Sequence, residues 1–456
     1  MADRQPRVLL LHPGSLYGGD WPGIVTLKGA LVGLYSYLRA HDVEVAVVDL
    51  QVEMGNPPPD GVQTFVERGM ESILRHDFNV LGISCWSSLE YLAAVEFAER
   101  VRAARPDCLV VVGGYHPSAV PGDFTFAGSP FDVVITGEGE VALLELVRAA
   151  GSGGSAQTRF IEGTPLPLER PFFDLDGYPY LTARPFAVGV YLSRGCPYRC
   201  TFCMEVGKGR AAWRHHSVED ALELVRRARS YNPQSIVFHD ACFAYLDSWR
   251  LEFLRGLVDM GIDVPLWAEL RADRLLPEDL EVIAELDFYL TFGVETMSPR
   301  MATIMHKAAD GEKYVREVGA TLEEVNRRRI LAKAYLIFNH PGETRETAEE
   351  TVGYFERFVA DHDTLTLIAN MWEFRLYPGT DTAVRRTYYQ ESYGTDFPHP
   401  EWWKERRPQL DLAVARRDDR ALEGYIERIR ALHTQIIRKM PAATQLHYLS
   451  HIKQLS

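Results

Sequence analysis

Residues 188–203 read VGVYLSRGCPYRCTFC: an apolar run, a glycine, then three cysteines spaced CxxxCxxC. Only six cysteines occur in the 456 residues, and half of them crowd into this loop. The run VGVYLSRG reads as a buried parallel strand, so the thiols lie just past a strand C-terminus, where α/β folds place ligand chemistry. Working downstream, SIVFHD (235–240), VPLWAELR (264–271), FYLTFGVE (288–295), LAKAYLIF (331–338) and LIANMWEFRLY (367–377) are further strand candidates, with helices such as VEDALELVRRARSY between them. Five or six strands with crossover helices in roughly 200 residues predict a partial (β/α) barrel over 185–378, with its site at the strand C-termini.

Upstream, RVLLLH (7–12), VEVAVVDL (43–50), NVLGIS (79–84), CLVVVGG (108–114) and FDVVITG (131–137) alternate with helix-like segments. This predicts a doubly wound, Rossmann-like α/β domain over 1–150. The Gly/Ser stretch GSGGSAQT and the Pro-rich TPLPLERPFFDLDGYP mark a linker over 151–184. From 379 to 456 the chain carries PHPEWWKERR and then helical periodicity in ALEGYIERIRALHTQIIRK, a mostly helical segment expected either to pack over the barrel mouth or to form a helical cap, and to serve substrate recognition.

The formal charge of −14 and the absence of any Lys/Arg block argue against a phosphate-seeking, nucleic-acid-binding surface. No apolar run reaches a membrane span and no basic-then-apolar leader occurs, so a cytoplasmic protein is expected. In that reducing compartment the scattered Cys85, Cys108 and Cys242 read as buried thiols.

Cys196, Cys200 and Cys203 need a different account. A disulfide would leave one thiol over, and structural zinc would need a fourth ligand, His215 or His216. Three thiolates around a cubane iron–sulfur cluster leave one iron free to bind a substrate or cofactor directly.

With Pro197, Arg199 and Phe202 in its gaps, this segment resembles the cluster motif of the radical S-adenosylmethionine (SAM) superfamily. The resemblance implies a [4Fe-4S] cluster on Cys196, Cys200 and Cys203, whose open iron chelates SAM and whose electron cleaves it to a 5′-deoxyadenosyl radical. IVFHDACFAY, LWAELRADRL and LTFGVETMSPRMATIMHK resemble the family's next three strands, which makes Asp240, Glu269, Arg271 and Glu295, with Phe202, the implied SAM contacts. AYLIFNHPGETRETAEETV matches the family's strand-then-PGET turn. Each strand-end residue also has a plainer reading: Glu269 and Arg271 as a barrel-layer ion pair, His239 as a core imidazole, PGET as a turn and helix cap.

GISCWSS (82–88), VVGGYHPSAVP (111–121) and VVITGEGEVALLEL (133–146) resemble the loops of the cobalamin-binding domain that precedes the radical domain in one large subclass. Gly113, Gly114, Gly137 and Gly139 would let a flat ring approach the backbone, and Ser84, Ser87 and Ser88 could meet a nucleotide tail. Tyr115, His116 and Glu138 belong to the same loops. The string DxHxxG is absent, so no histidine is expected beneath cobalt, and Trp86 is the candidate for that face.

The resemblance then implies a methyltransferase, most simply a C-methyltransferase. One SAM methylates cobalamin, and a second yields the radical that activates an unreactive carbon of an amino acid, peptide or natural-product intermediate. An electron donor such as flavodoxin or ferredoxin is implied. Tyr191, Trp402 and Trp403 are candidates for shaping the shared cavity. A non-methylating cyclisation or ring rearrangement, or polar methylation of an sp2 carbon or phosphorus, uses the same motifs. A methylthiotransferase would need three more N-terminal cysteines, and a mere carrier would not need an open iron.

Overall fold

The computed structural model describes residues 7–18, 25–58, 60–150, 159–182, 186–208, 212–415 and 423–442. In chain order the first strands are β1 (Arg7–His12), β2 (Val25–Leu27), β3 (Glu44–Asp49), β4 (Val80–Ser84), β5 (Leu109–Gly113), β6 (Val133–Thr136) and β7 (Arg159–Glu162). There follow β8 (Phe186–Val190), β9 (Ser193–Arg194), β10 (Arg214–His215), β11 (Ser235–Phe238), β12 (Leu266–Leu270), β13 (Phe288–Glu295), β14 (Ala332–Phe338) and β15 (Leu367–Glu373).

The first sheet has the order β3-β1-β4-β5-β6-β7, parallel throughout. Its inner strands are apolar on both faces because both faces are covered, whereas the edge strand β7 is largely exposed. Along β1 the alternation is strict: Val8 and Leu10 join one core with the helices Gly29–Arg39 and Glu140–Ala150, while Leu9 and Leu11 join another with Val62–Leu74 and Tyr91–Ala104. The first of these cores runs on without a break into the barrel, so one face of the sheet is buried against the second half of the chain.

The second sheet has the order β15-β14-β13-β12-β11-β8-β2, again parallel, and is an open partial barrel. Two strands depart from the expected boundaries. β2 comes from the N-terminal segment yet pairs with β8, and β7 comes from the expected linker yet extends the first sheet beside β6. β2 thereby ties the two halves together.

The helix Arg345–Asp361 starts from Thr344, whose side chain caps Thr347 N–H, so the PGET turn does serve as a helix start. The C-terminal helix Glu423–Lys439 lies against that helix, with Arg428 between Glu349 and Glu356. Its apolar stripe Tyr425, Ile429, Leu432 and Ile436 joins the main core, so it covers the outside of the barrel rather than its mouth. Trp402 and Trp403 likewise do not shape a cavity. They pack in the N-terminal core, where Trp403 donates to Asp123 at 2.7 Å, because buried indoles need both an apolar bed and an acceptor.

Candidate active site

The cysteine loop hangs from the end of β8 and is pinned at its root by Asp240, just past β11. Asp240 Oδ1 accepts from Leu192 N–H (2.8 Å) and Ser193 N–H (2.9 Å). β9 pairs with β10, closing the loop, and Trp213 at its far end donates to Ser193 Oγ and the Cys242 carbonyl. At the middle of the loop Thr201 N–H donates to Met305 O, and Thr201 Oγ1 lies 2.9 Å from His340 Nε2. The chain between the cysteines is thus fixed by three other strand ends.

Cys196, Cys200 and Cys203 are half-buried and unbridged. Burial pushes the Cys203 thiol up to about 12, with the neighbouring Cys200 adding to it, and burial also raises Cys200. Cys242 shares a hydrogen bond with Cys196, which lowers Cys196. Among the described residues no three His, Cys, Asp or Glu side chains converge where a single ion could sit. His215 meets the His216 carbonyl through Nδ1. Thiols that each hold a different iron of a cubane need no common centre, so the triad fits the cluster.

The implied SAM contacts separate into engaged and free groups. Asp240 Oδ2 is buried without a hydrogen-bond partner, and burial, against its backbone hydrogen bonds, lifts this carboxyl to about 7. Arg271 is held by Asp273 and by the Lys307 carbonyl, its guanidinium lies 4.0 Å from the Tyr198 ring centre, and its Nη1 is left without a partner. Glu295 sits at φ +65° with Lys307 Nζ 3.5 Å away, while Lys307 also donates to the Gly293 carbonyl. Unspent polar atoms on Asp240 and Arg271, on strand ends around the cysteines, suit a charged cofactor. Phe202 points elsewhere, packing against the cluster of Phe374, Leu376 and Tyr389. Lys307 carries no motif and is invisible in the sequence; only the return of its helical turn to Glu295 reveals it.

A cleft of about 820 Å³, counting its part open to solvent, lies between the C-terminal edge of the first sheet and the cysteine loop. Ser84, Trp86, Gly113, Gly114, Tyr115, Gly137, Glu138 and Gly139 line one wall, and Tyr191 and Arg194 line the other. Gly114 is at φ +125°, where a Cβ would stand 2.3 Å from the Cys85 carbonyl oxygen. At Gly139 a Cβ would meet only Ile135, at 4.0 Å, and a longer side chain would fill the cleft. Such a wall of bare backbone fits a flat corrin ring.

Three expected cobalamin contacts lie off this wall. Ser87 caps the turn Ser88–Glu90. Ser88 Oγ meets His116 Nδ1 at 2.8 Å, and His116 Nε2 lies 3.3 Å from Asp123, so both are consumed inside the fold. A short polar residue after a strand signals a cap as readily as a ligand contact, and the cap prevailed. His12 is also spoken for, between Asp49 (2.9 Å) and Glu90 (3.1 Å). Neither histidine lines the cleft, whereas Trp86 does, 44% exposed and with Lys28 Nζ 5.7 Å from its ring.

The two walls are joined by polar contacts that sequence patterns do not disclose: Arg194 to Glu140 (2.8 Å), Arg214 to Glu138, and Tyr115 Oη donating to Glu205 (2.7 Å). Arg194 and Glu205 flank the cysteine triad in sequence, so the cleft and the thiols share one boundary.

Comparison with known proteins agrees with both halves. Residues 30–147 match the B12 binding domain and residues 190–355 the radical SAM superfamily. An uncharacterized methyltransferase of Pyrococcus horikoshii, PH0819, is 27% identical over 68% of this chain and 69% of its own. The anaerobic magnesium-protoporphyrin IX monomethyl ester cyclase of Rubrivivax gelatinosus is 25% identical over 76% of this chain and 64% of its own. The radical SAM methyltransferase TsrM of Kitasatospora setae, solved with cobalamin and a [4Fe-4S] cluster bound, superposes with a TM-score of 0.68 at 18% identity, covering 94% of this chain and 91% of that one.

Proposed function

Because the chain joins a B12 binding domain to a radical SAM domain and so belongs to the cobalamin-dependent radical SAM enzymes, we propose that it transfers a methyl group to an unactivated carbon of a small molecule. The observation that carries this reading is the shared boundary: Tyr191 and Arg194 line the glycine-walled cleft and lie within a few residues of the cluster thiols. When bound, the cluster supplies an electron, SAM the methyl group and a hydrogen-abstracting fragment, and cobalamin the methyl carrier.

The chain's own residues supply position. Cys196, Cys200 and Cys203 would each hold one iron of the cluster, leaving one iron without a cysteine. Asp240 fixes the loop with one oxygen and offers the other to SAM; Arg271 and Glu295 offer further charge beside it. The Arg194–Glu140 and Arg214–Glu138 pairs bridge the two walls of the cleft, which holds the two cofactor sites in one geometry. An external electron donor is required.

The test is reconstitution under anaerobic conditions with methyl-labelled SAM, cobalamin, a reductant and candidate small molecules. A product heavier by one labelled methyl supports the proposal. The match to the cyclase favours a second reading, ring closure, and a product rearranged without added label would indicate it.

A further inference from the structure

Beneath the cofactor residues the barrel interior carries a second polar layer. Parallel pairing aligns Glu269 on β12, Thr291 on β13 and Lys333 on β14. Their neighbours along each strand, Ala268, Leu290, Phe292, Ala332 and Ala334, belong to the main core under the helices, so these three face the lumen. Below them Ala187, Val237 and Trp267 form an apolar floor.

Lys333 is 1% exposed and makes no hydrogen bond or ion pair with any described residue; its Nζ lies 5.5 Å from the Tyr335 ring centre. Glu269 is exposed, yet enough protein surrounds it for burial to push its carboxyl up, so the surface it shows is that of the lumen. The two charges lie two strands apart, about 10 Å between backbones at the usual strand spacing, and do not close to an ion pair. Thr291 between them is occupied by Trp267 Nε1 at 2.6 Å. Glu269 is the charge Lys333 feels across the lumen, but at that separation it offsets only part of the cost of burying an ammonium. The costs of both charges are met together by a guest with an anion and a cation a few ångströms apart.

We propose that the lumen binds a free α-amino acid, its carboxylate on Lys333 and its ammonium on Glu269. The proposal rests on the methyltransferase reading and narrows its substrate to a zwitterion, excluding an internal residue of a peptide. Tyr335, two residues beyond Lys333 on β14, and Trp372, whose ring centre lies 6.5 Å from that of Tyr335, would take the side chain. Glu269 is thereby assigned to substrate rather than to SAM.

Equilibrium dialysis of the reconstituted holoenzyme against the twenty L-amino acids, with mass spectrometry of what is retained, tests this. At least one amino acid is expected to be retained, with its decarboxylated amine and its des-amino acid each bound about 100-fold more weakly, as charge-built sites discriminate. K333M should lose the preference for the carboxylate, and E269Q the preference for the ammonium. Retention of no amino acid, equal binding of the decarboxylated amine, or unchanged retention by K333M would overturn the assignment. Methylation of cobalamin by SAM in the wild-type enzyme, followed by absorbance, checks the underlying reading separately: its absence sinks the methyltransferase reading, whereas its presence without amino-acid retention sinks only the zwitterion.

Discussion

Cys200 lies at the centre of the triad, and its replacement tests the cluster directly. C200A should retain its fold but lose the cluster's visible absorbance and reduce SAM cleavage to background; unaltered 5′-deoxyadenosine formation would exclude the thiol as a ligand. His12 makes a different prediction. Burial alone would lower its imidazole, but Asp49 and Glu90 more than reverse this and raise it from 6.5 to about 9. The stabilisation is therefore complete below pH 6.5 and is lost as pH rises through 9, an effect of about 3 kcal/mol. Urea unfolding between pH 6.5 and 10 should show this loss in the wild type and a flatter profile in H12Q. At this scale the thiols were legible because spacing alone limits what three cysteines can do. Lys307 and Lys333 were not, because a lysine's role depends on which carboxylate the fold leaves within or beyond its reach.

Among the elements, the turn after β5 and the contacts across the cleft carry the predictions. G114A should cost about 2–3 kcal/mol, because its Cβ meets the Cys85 carbonyl and φ +125° is closed to alanine. Cobalamin retained on gel filtration should fall with it, and unchanged stability would contradict the cradle. R194M leaves the buried Glu140 without its partner and should destabilise by about 3–5 kcal/mol, whereas the double variant R194M/E140M should recover most of that loss. The long strands were readable from apolar runs closed by glycine or a polar residue. β7 was not, since RFIE is largely exposed and shows no apolar pattern, and β2 is only three residues long. Short strands of this kind are specified by the sheet edge they meet rather than by their own composition.

For the molecule as a whole, the order of the two halves matters less than the face they share. The continuous core between first sheet and barrel, the crossover of β2 and the three polar contacts around Tyr115, Arg194 and Arg214 set the glycine wall against the cysteine loop. Fold class followed from alternation and the cofactor pair from two sets of motifs, but this closure depends on contacts as distant in sequence as Val25 with Phe186 and Tyr115 with Glu205, which no local pattern encodes. The most direct measurement is the fate of a labelled methyl group: wild-type enzyme with cluster, cobalamin, reductant and methyl-labelled SAM, sampled over time with substrate present. The account predicts label first on cobalamin and then on product, with 5′-deoxyadenosine accumulating alongside. SAM that is neither cleaved nor demethylated would contradict it.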